Sequence, residues 1–448
     1  MGKPIIILNS LEASIDLLEK RSNKYSNRPE LTFAGEMIGW KRHMIMSPYG
    51  NRFRLLRKMV LQCGGTKSAV QRFQDAQRDE SLRFVLAIAE DPEQLLRHLR
   101  RSIGAIYLLM SHGYHVERDR PDPLVGLVEK AAQDFYVSTR PGTWIVDVLP
   151  FLRHIPDLQA FRLPFQAAAA KFKETFDRQL DVPHQFVVEQ MRTGKAIPSF
   201  SAYLLETVEK DEERQLIKYV SSTLYGGGLD TVVSSLGAFY LAMVMYPEVQ
   251  RKVQEELDRV IGNSRLPDFS DRDNLPYLAA VQKEVMRWHP VGPMGIPHMS
   301  TAEDEYHGYY IPKGATVLSN LWKISRDPSL YRDPNVFIPE RYLGLNPEQD
   351  PSSFVFGFGR RICPGQELAH ATIYICIAMS MAVLDFTRCK DENGTDIVPN
   401  GEFLSGTVSH PKPFKCGIGI RSDDRYRIAH DSIDSLIRID GDGDKLNL

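Results

Sequence analysis

The chain is 448 residues long, 43% hydrophobic and 25% charged, with a formal net charge of −2. These are ordinary values for a globular protein with a sizeable core, and the lack of a dominant basic field argues against nucleic acid as the main partner. The five cysteines (Cys63, Cys363, Cys376, Cys389 and Cys416) form no paired framework, which points to reduced thiols in a cytosol-facing compartment.

In chain order, residues 5–8 read as a short strand, and Asn9 or Ser10 then caps an amphipathic helix. Residues 119–164 mix prolines and glycines with apolar residues and read as short helices and loops. Residues 213–245 read as one very long helix, polar at Glu213 and almost wholly apolar by Leu241, so it enters the centre of the protein. Pro247 opens a second helix and Gly262 stops it, while Asn274 caps a third that runs through Trp288. Between 291 and 320 the pattern changes. Tyr309 to Ile311 and Thr316 to Ser319, separated by Pro312-Lys313-Gly314, read as a small sheet with a turn.

The run 368–384 is interrupted by His370, Thr372, Tyr374 and Ser380, and reads as a buried core helix rather than a membrane span. After Arg421 the chain turns polar. Its Asp-Gly-Asp-Gly-Asp run lacks the spacing and closing Glu of an EF-hand, so 422–448 read as a solvated, disordered tail. No linker divides residues 1–421, which read as one domain of mainly α class with a small β region.

The chemistry concentrates at Phe356-Gly357-Phe358-Gly359-Arg360-Arg361-Ile362-Cys363-Pro364-Gly365. Arginine charge and a following helix N-terminus favour thiolate over thiol at Cys363. A single thiolate among aromatics suits haem iron, whereas zinc would want three or four Cys/His ligands, and none surround Cys363. Upstream, Gly226-Gly227-Gly228 sit inside the long helix. Each glycine there costs about 1 kcal/mol relative to alanine, which close approach of a large ligand, a kink or a tight helix crossing would offset. Asp230 and Thr231 follow as local proton handlers. Glu284 and Arg287 share a helix face at i and i+3 among apolar residues; a buried pair needs a third partner, and Arg341 is the candidate.

Four segments, the Cys363 loop, Gly227-Gly228-Leu229-Asp230-Thr231, Glu284-Val285-Met286-Arg287 and Pro339-Glu340-Arg341-Tyr342, occur in the order and spacing of the haem-thiolate monooxygenases. The chain therefore resembles the cytochrome P-450 superfamily from Pro4 to about Arg421, and Ile296-Pro297-His298 with Gly308 to Gly314 look most like fungal, microsomal-type members of secondary metabolism. The resemblance implies that superfamily's fold, a long central helix over the haem and the cysteine loop beneath it. It makes Cys363 the axial ligand of haem b, with Arg57, His298 and Arg361 on the propionates and Phe356 and Gly365 also contacting the cofactor. Asp230 and Thr231 would deliver protons, and Glu284, Arg287 and Arg341 would be structural. Phe53 stands where the family usually has Trp.

The same resemblance implies insertion of one oxygen atom from O2 into a lipophilic small molecule such as a terpenoid, polyketide or aromatic alkaloid precursor. Electrons would come from NADPH through NADPH-cytochrome P-450 reductase, with Arg54, Lys58 and Arg360 as basic contacts. Residues 37–40, 224–228, 291–296 and 404–407 are expected to line the substrate cavity. The family acts on the cytosolic face of the endoplasmic reticulum; an anchor and first strand are expected to be missing here, weakening membrane association. Haem-thiolate isomerisation or dehydration, and a non-catalytic truncated fragment, are the alternatives.

Overall fold

The computed structural model describes residues 4–156, 163–436 and 440–446; the ends of the chain, part of the 119–164 segment and part of the tail lie outside them. The central helix, Ile217–Met245, begins after a separate turn at Asp211–Arg214, four residues later than its pattern indicates. Every residue from Val232 to Val244 is buried, as an all-round apolar helix requires. Around it pack the helices Asn51–Gly64, Leu95–His112, Pro276–Trp288 and Gln366–Val383. Tyr240 and Ser380 share a buried hydrogen bond of 2.9 Å that joins the last of these to the central helix. The run 368–384 is thus a core helix, with Cys376 buried in it and its thiol pushed up to about 12 by desolvation.

Ser10 is the N-cap, accepting from the Ala13 amide at 3.2 Å. Asn274 is not a cap. It ends a 3-10 turn, and Pro276 takes the first position of the next helix, where no N–H is needed.

Three other readings are corrected. Residues 119–164 contain a full helix, Pro123–Thr139, and the start of another, Pro164–Arg192. Asp122 caps the former by accepting from the Leu124 and Val125 amides, so Asp-Pro was the legible signal. Tyr309–Ile311 and Thr316–Ser319 do not pair with each other. The first forms a hairpin with Asp304–Tyr306 through His307 and Gly308, both at positive φ, as a tight two-residue turn demands. The second is the middle strand of a separate sheet, parallel to Ile5–Leu8 and antiparallel to His298–Met299.

The tail is not featureless either. Ser422 caps a helix, Asp423–Asp434, whose Arg425 is buried against Asp258 at 2.8 Å. Residues 440–446 dock on 115–120: the His115 amide donates to Asp442 and the Gly443 amide to Glu117, at 2.8 and 2.7 Å. Among the described residues, the two helices long and apolar enough to cross a membrane, 211–245 and 366–383, are both largely buried within the protein.

Candidate active site

Cys363 lies in a loop closed by its own amide, which donates to the Phe356 carbonyl at 2.8 Å. Gly365 caps the helix Gln366–Val383, so the sulfur stands beside a helix N-terminus. Gly359 has φ +54°, and a Cβ there would lie 2.5 Å from the Leu18 carbonyl oxygen, so only glycine fits between this loop and the 15–20 turn. Cys363 is solvent-accessible, but what it faces is a cavity of about 400 Å³ rather than bulk water. Desolvation accordingly raises its thiol pKa, against a backbone hydrogen bond at Gly365 and the charge of Arg57. A metal cation would reverse that balance.

One wall of the cavity is cationic. Arg57 donates to the Ile362 carbonyl at 2.6 Å. Arg361 donates to Ser26 and Ser47 carbonyls, both at 2.7 Å, and lies over the Phe53 ring at 3.7 Å. Its Nη1 is buried without a partner. Arg28, which the sequence did not single out, is buried beside them and donates to the Ile45, Ile296 and Pro297 carbonyls. All three guanidiniums line the cavity, and among the described residues none pairs with a carboxylate. Burial depresses each of them, Arg361 to about 10, and Arg28 is further lowered by Arg361. His298, also in this wall, is tied through Nδ1 to the Tyr25 carbonyl at 2.7 Å and held neutral by burial, near 3. Three desolvated cations with no internal anion are a built site for a dianionic ligand. A haem with two propionates fits that charge, and Phe356, Gly365 and Cys363 line the same space.

The opposite wall is the central helix. A Cβ at Gly226 or Gly227 would meet nothing within 4 Å, whereas one at Gly228 would strike the Tyr107 ring. The glycine run thus serves two purposes: a cleared face toward the cavity, and a tight crossing with the helix Leu95–His112. Thr231 lines the cavity and donates to the Gly227 carbonyl at 2.8 Å. Asp230 does not line it. Its carboxylate turns toward the helix Pro123–Thr139 and the 406–411 loop, where Tyr136 donates to Oδ2 and His410 Nε2 lies 3.1 Å from Oδ1. Burial raises the Asp230 carboxyl, but His410, Tyr136 and Arg100 together hold it below its usual value.

Of the expected cavity segments, 224–228 and 291–296 are largely in place, but Trp40 alone represents 37–40 and Thr407 alone 404–407. The lining also contains His43, Gln179 and Thr223, which the apolar pattern did not flag.

Away from the cavity, Glu284 accepts from Arg287 Nε and Nη2 at 2.8 and 2.7 Å, from the Ile338 amide at 2.7 Å and from Arg341 Nε at 3.3 Å. Arg287 also donates to the Ser325, Pro334 and Val336 carbonyls, so its charge is fully satisfied. The third partner expected of a buried pair is indeed Arg341.

The family model described as Cytochrome P450 matches residues 1–418. The chain is 51% identical to "Cytochrome P450 monooxygenase claR" of Ampulloclitocybe clavipes, over 99% of this chain and 81% of that protein. It is 45% identical to "Cytochrome P450 monooxygenase 208" of Postia placenta, over 94% and 82%. Identity to "Cytochrome P450 monooxygenase ppsD" of Aspergillus oryzae is 39%, over 95% and 82%.

Proposed function

The chain belongs to the cytochrome P450 family, and from that premise we propose that Cys363 is the axial ligand of a haem b seated between the cysteine loop and the central helix. The protein is a monooxygenase, an oxidoreductase. The observation that supports the cofactor assignment is the set of three buried guanidiniums, Arg28, Arg57 and Arg361, facing the Cys363 cavity with no carboxylate among them. They would hold the propionates, with His298 completing that wall. When bound, the haem supplies oxygen activation, and its thiolate ligand donates the electron density that favours O–O cleavage.

The chain's own residues do the rest. Gly226 and Gly227 leave room against the helix, while Trp40, Phe135, Leu224, Val291 and Ile296 present apolar surface to the substrate and keep bulk water out. The substrate is therefore lipophilic, of terpenoid, polyketide or aromatic alkaloid type, and the relatives named above are fungal monooxygenases. Thr231 holds a hydroxyl at the cavity face of the central helix, with Asp230 behind it as proton source. Isomerisation or dehydration without O2 is not favoured, since the relatives named above are monooxygenases.

Electrons come from NADPH through a flavoprotein reductase whose acidic surface meets exposed Arg54, Lys58 and Arg360 on the cysteine side. Exposed Ile145, Val148 and Phe151, clustered between the helices Pro123–Thr139 and Pro164–Arg192, support a location at the cytosolic face of the endoplasmic reticulum. The deciding experiment is the spectrum of the reduced, CO-treated protein. A strongly red-shifted Soret band in wild type, absent in Cys363→Ala, establishes thiolate ligation by this residue; its absence in wild type refutes the assignment.

A further inference from the structure

Asp230 sits behind the cavity wall, not in it. Its two oxygens are both engaged, Oδ2 by the Tyr136 hydroxyl and Oδ1 by His410 Nε2 at 3.1 Å. Thr231, the next residue, faces the cavity instead. A carboxylate in this position must be released from these partners before it can turn to the Thr231 side of the helix.

His410 is placed to release it by supplying a proton. Its side chain is 21% exposed against 18% for Asp230, so the imidazole reaches water. Its loop is pinned. The Ser409 amide donates to the Val291 carbonyl at 2.8 Å, Ser234 of the central helix donates to the Ser409 carbonyl, and Pro411 packs on Gly237 of the same helix. The ring is therefore held against Asp230 by the helix that carries Asp230. The other charged or titratable groups facing this pair are Arg100 and Glu129, themselves paired at 3.5 Å, and His289, which burial holds neutral near 3.

We propose that His410 is the proton-loading and positioning residue for Asp230: protonated from solvent, it transfers the Nε2 proton to Asp230 Oδ1, and the neutral acid then turns to the Thr231 side of the helix. The reading rests on the monooxygenase function assigned above, which consumes protons in the cavity. In the transfer one N–H bond breaks and one O–H bond forms, no electrons change hands, and water reprotonates the imidazole. Loading also loosens the hold. Once both groups are neutral the ion pair with His410 is reduced to a neutral hydrogen bond from the Asp230 acid to Nε2, so Asp230 is held more tightly while ionised than when it carries a proton. This coupling delivers protons without opening the cavity to water.

The test has two parts. In protein labelled with carbon-13 at histidine Cε1, the His410 resonance is assigned by its loss in His410→Gln and titrated in wild type and in Asp230→Asn. The midpoint is expected to fall in Asp230→Asn; an unchanged midpoint overturns the pairing. Dealkylation of 7-ethoxycoumarin is then driven either by NADPH, reductase and O2, or by iodosylbenzene, an oxygen donor that needs no proton delivery. In His410→Gln and His410→Ala, the ratio of the first rate to the second is expected to drop roughly tenfold at neutral pH. The wild-type ratio should follow the His410 midpoint with pH, and the variants should lose that dependence. An unchanged ratio, or both rates falling together as a purely structural role requires, overturns the proposal. Failure of the monooxygenase reading is distinguishable, because it shows as a missing red-shifted CO band in wild type and leaves the histidine titration readable.

Discussion

Glu284 and Arg287 form a two-pronged ion pair at 2.8 and 2.7 Å with both side chains 0% exposed. The pair ties the helix Pro276–Trp288 to the 334–342 segment through Ile338, Val336 and Arg341. Removing one partner strands a buried charge, which costs about 3–5 kcal/mol. Glu284→Ala and Arg287→Ala are therefore expected to give little soluble protein. Arg287→Lys keeps the charge but loses the fork and the carbonyl contacts, and should unfold at a clearly lower urea midpoint.

The two roles of the glycine run can be separated. Gly228→Ala drives a methyl group into the Tyr107 ring and should destabilise the protein by about 1–3 kcal/mol. Gly227→Ala meets nothing in the ligand-free protein and removes a helix penalty of about 1 kcal/mol, so its thermal midpoint should rise. The same methyl narrows the cavity, and Gly227→Ala should weaken ligand-induced spectral changes. Thermal unfolding and spectral titration of the two variants decide the matter.

Haem retention should depend on the cationic wall. Each charge-assisted hydrogen bond to a propionate is worth about 1.5–3 kcal/mol. Arg361→Leu, Arg57→Leu and Arg28→Leu are each expected to speed haem transfer to an acceptor globin by about one to two orders of magnitude. Unchanged transfer in all three would remove the argument for propionates at this wall.

Acid sensitivity should begin near neutrality. Burial holds His112 neutral in the fold, its value lowered from 6.5 to about 3 with a further push from His184. The unfolded chain binds a proton there once pH drops below about 6.5, while the folded chain does not. Stability from this group is thus present above about 6.5 and is lost as pH falls toward about 3, at about 1.4 kcal/mol per pH unit. His43, His289, His298 and His370 are depressed in the same direction, so the losses accumulate. His112→Asn, which keeps a partner for Ser111, should reduce the slope of stability against pH between 6 and 4 by about one proton, measured by urea unfolding at each pH.

The Cys363 loop, the Glu284–Arg287–Arg341 set and the buried central helix were legible in the chain because each is written in local residue types. A thiol next to glycines, a charge pair on one helix face and an all-round apolar run need no knowledge of what lies opposite. The helix Pro123–Thr139 was legible too, through Asp122-Pro123, but the surrounding prolines obscured it. The ordered tail was not: its contacts, Asp442 with His115 and Gly443 with Glu117, join residues more than 320 positions apart.

By itself, then, the sequence determined the family, the cysteine loop and the buried central helix. The tertiary structure alone decided what surrounds them. Arg28 became part of the cationic wall only when residues 28, 57 and 361 met across the cavity. Asp230 turned out to face Tyr136 and His410 rather than the cavity, because one step along a helix rotates a side chain by about 100°. Charge and hydrogen-bonding capacity belong to the residue and can be read in order. Which groups share a desolvated space depends on how distant segments pack, and that follows from the fold.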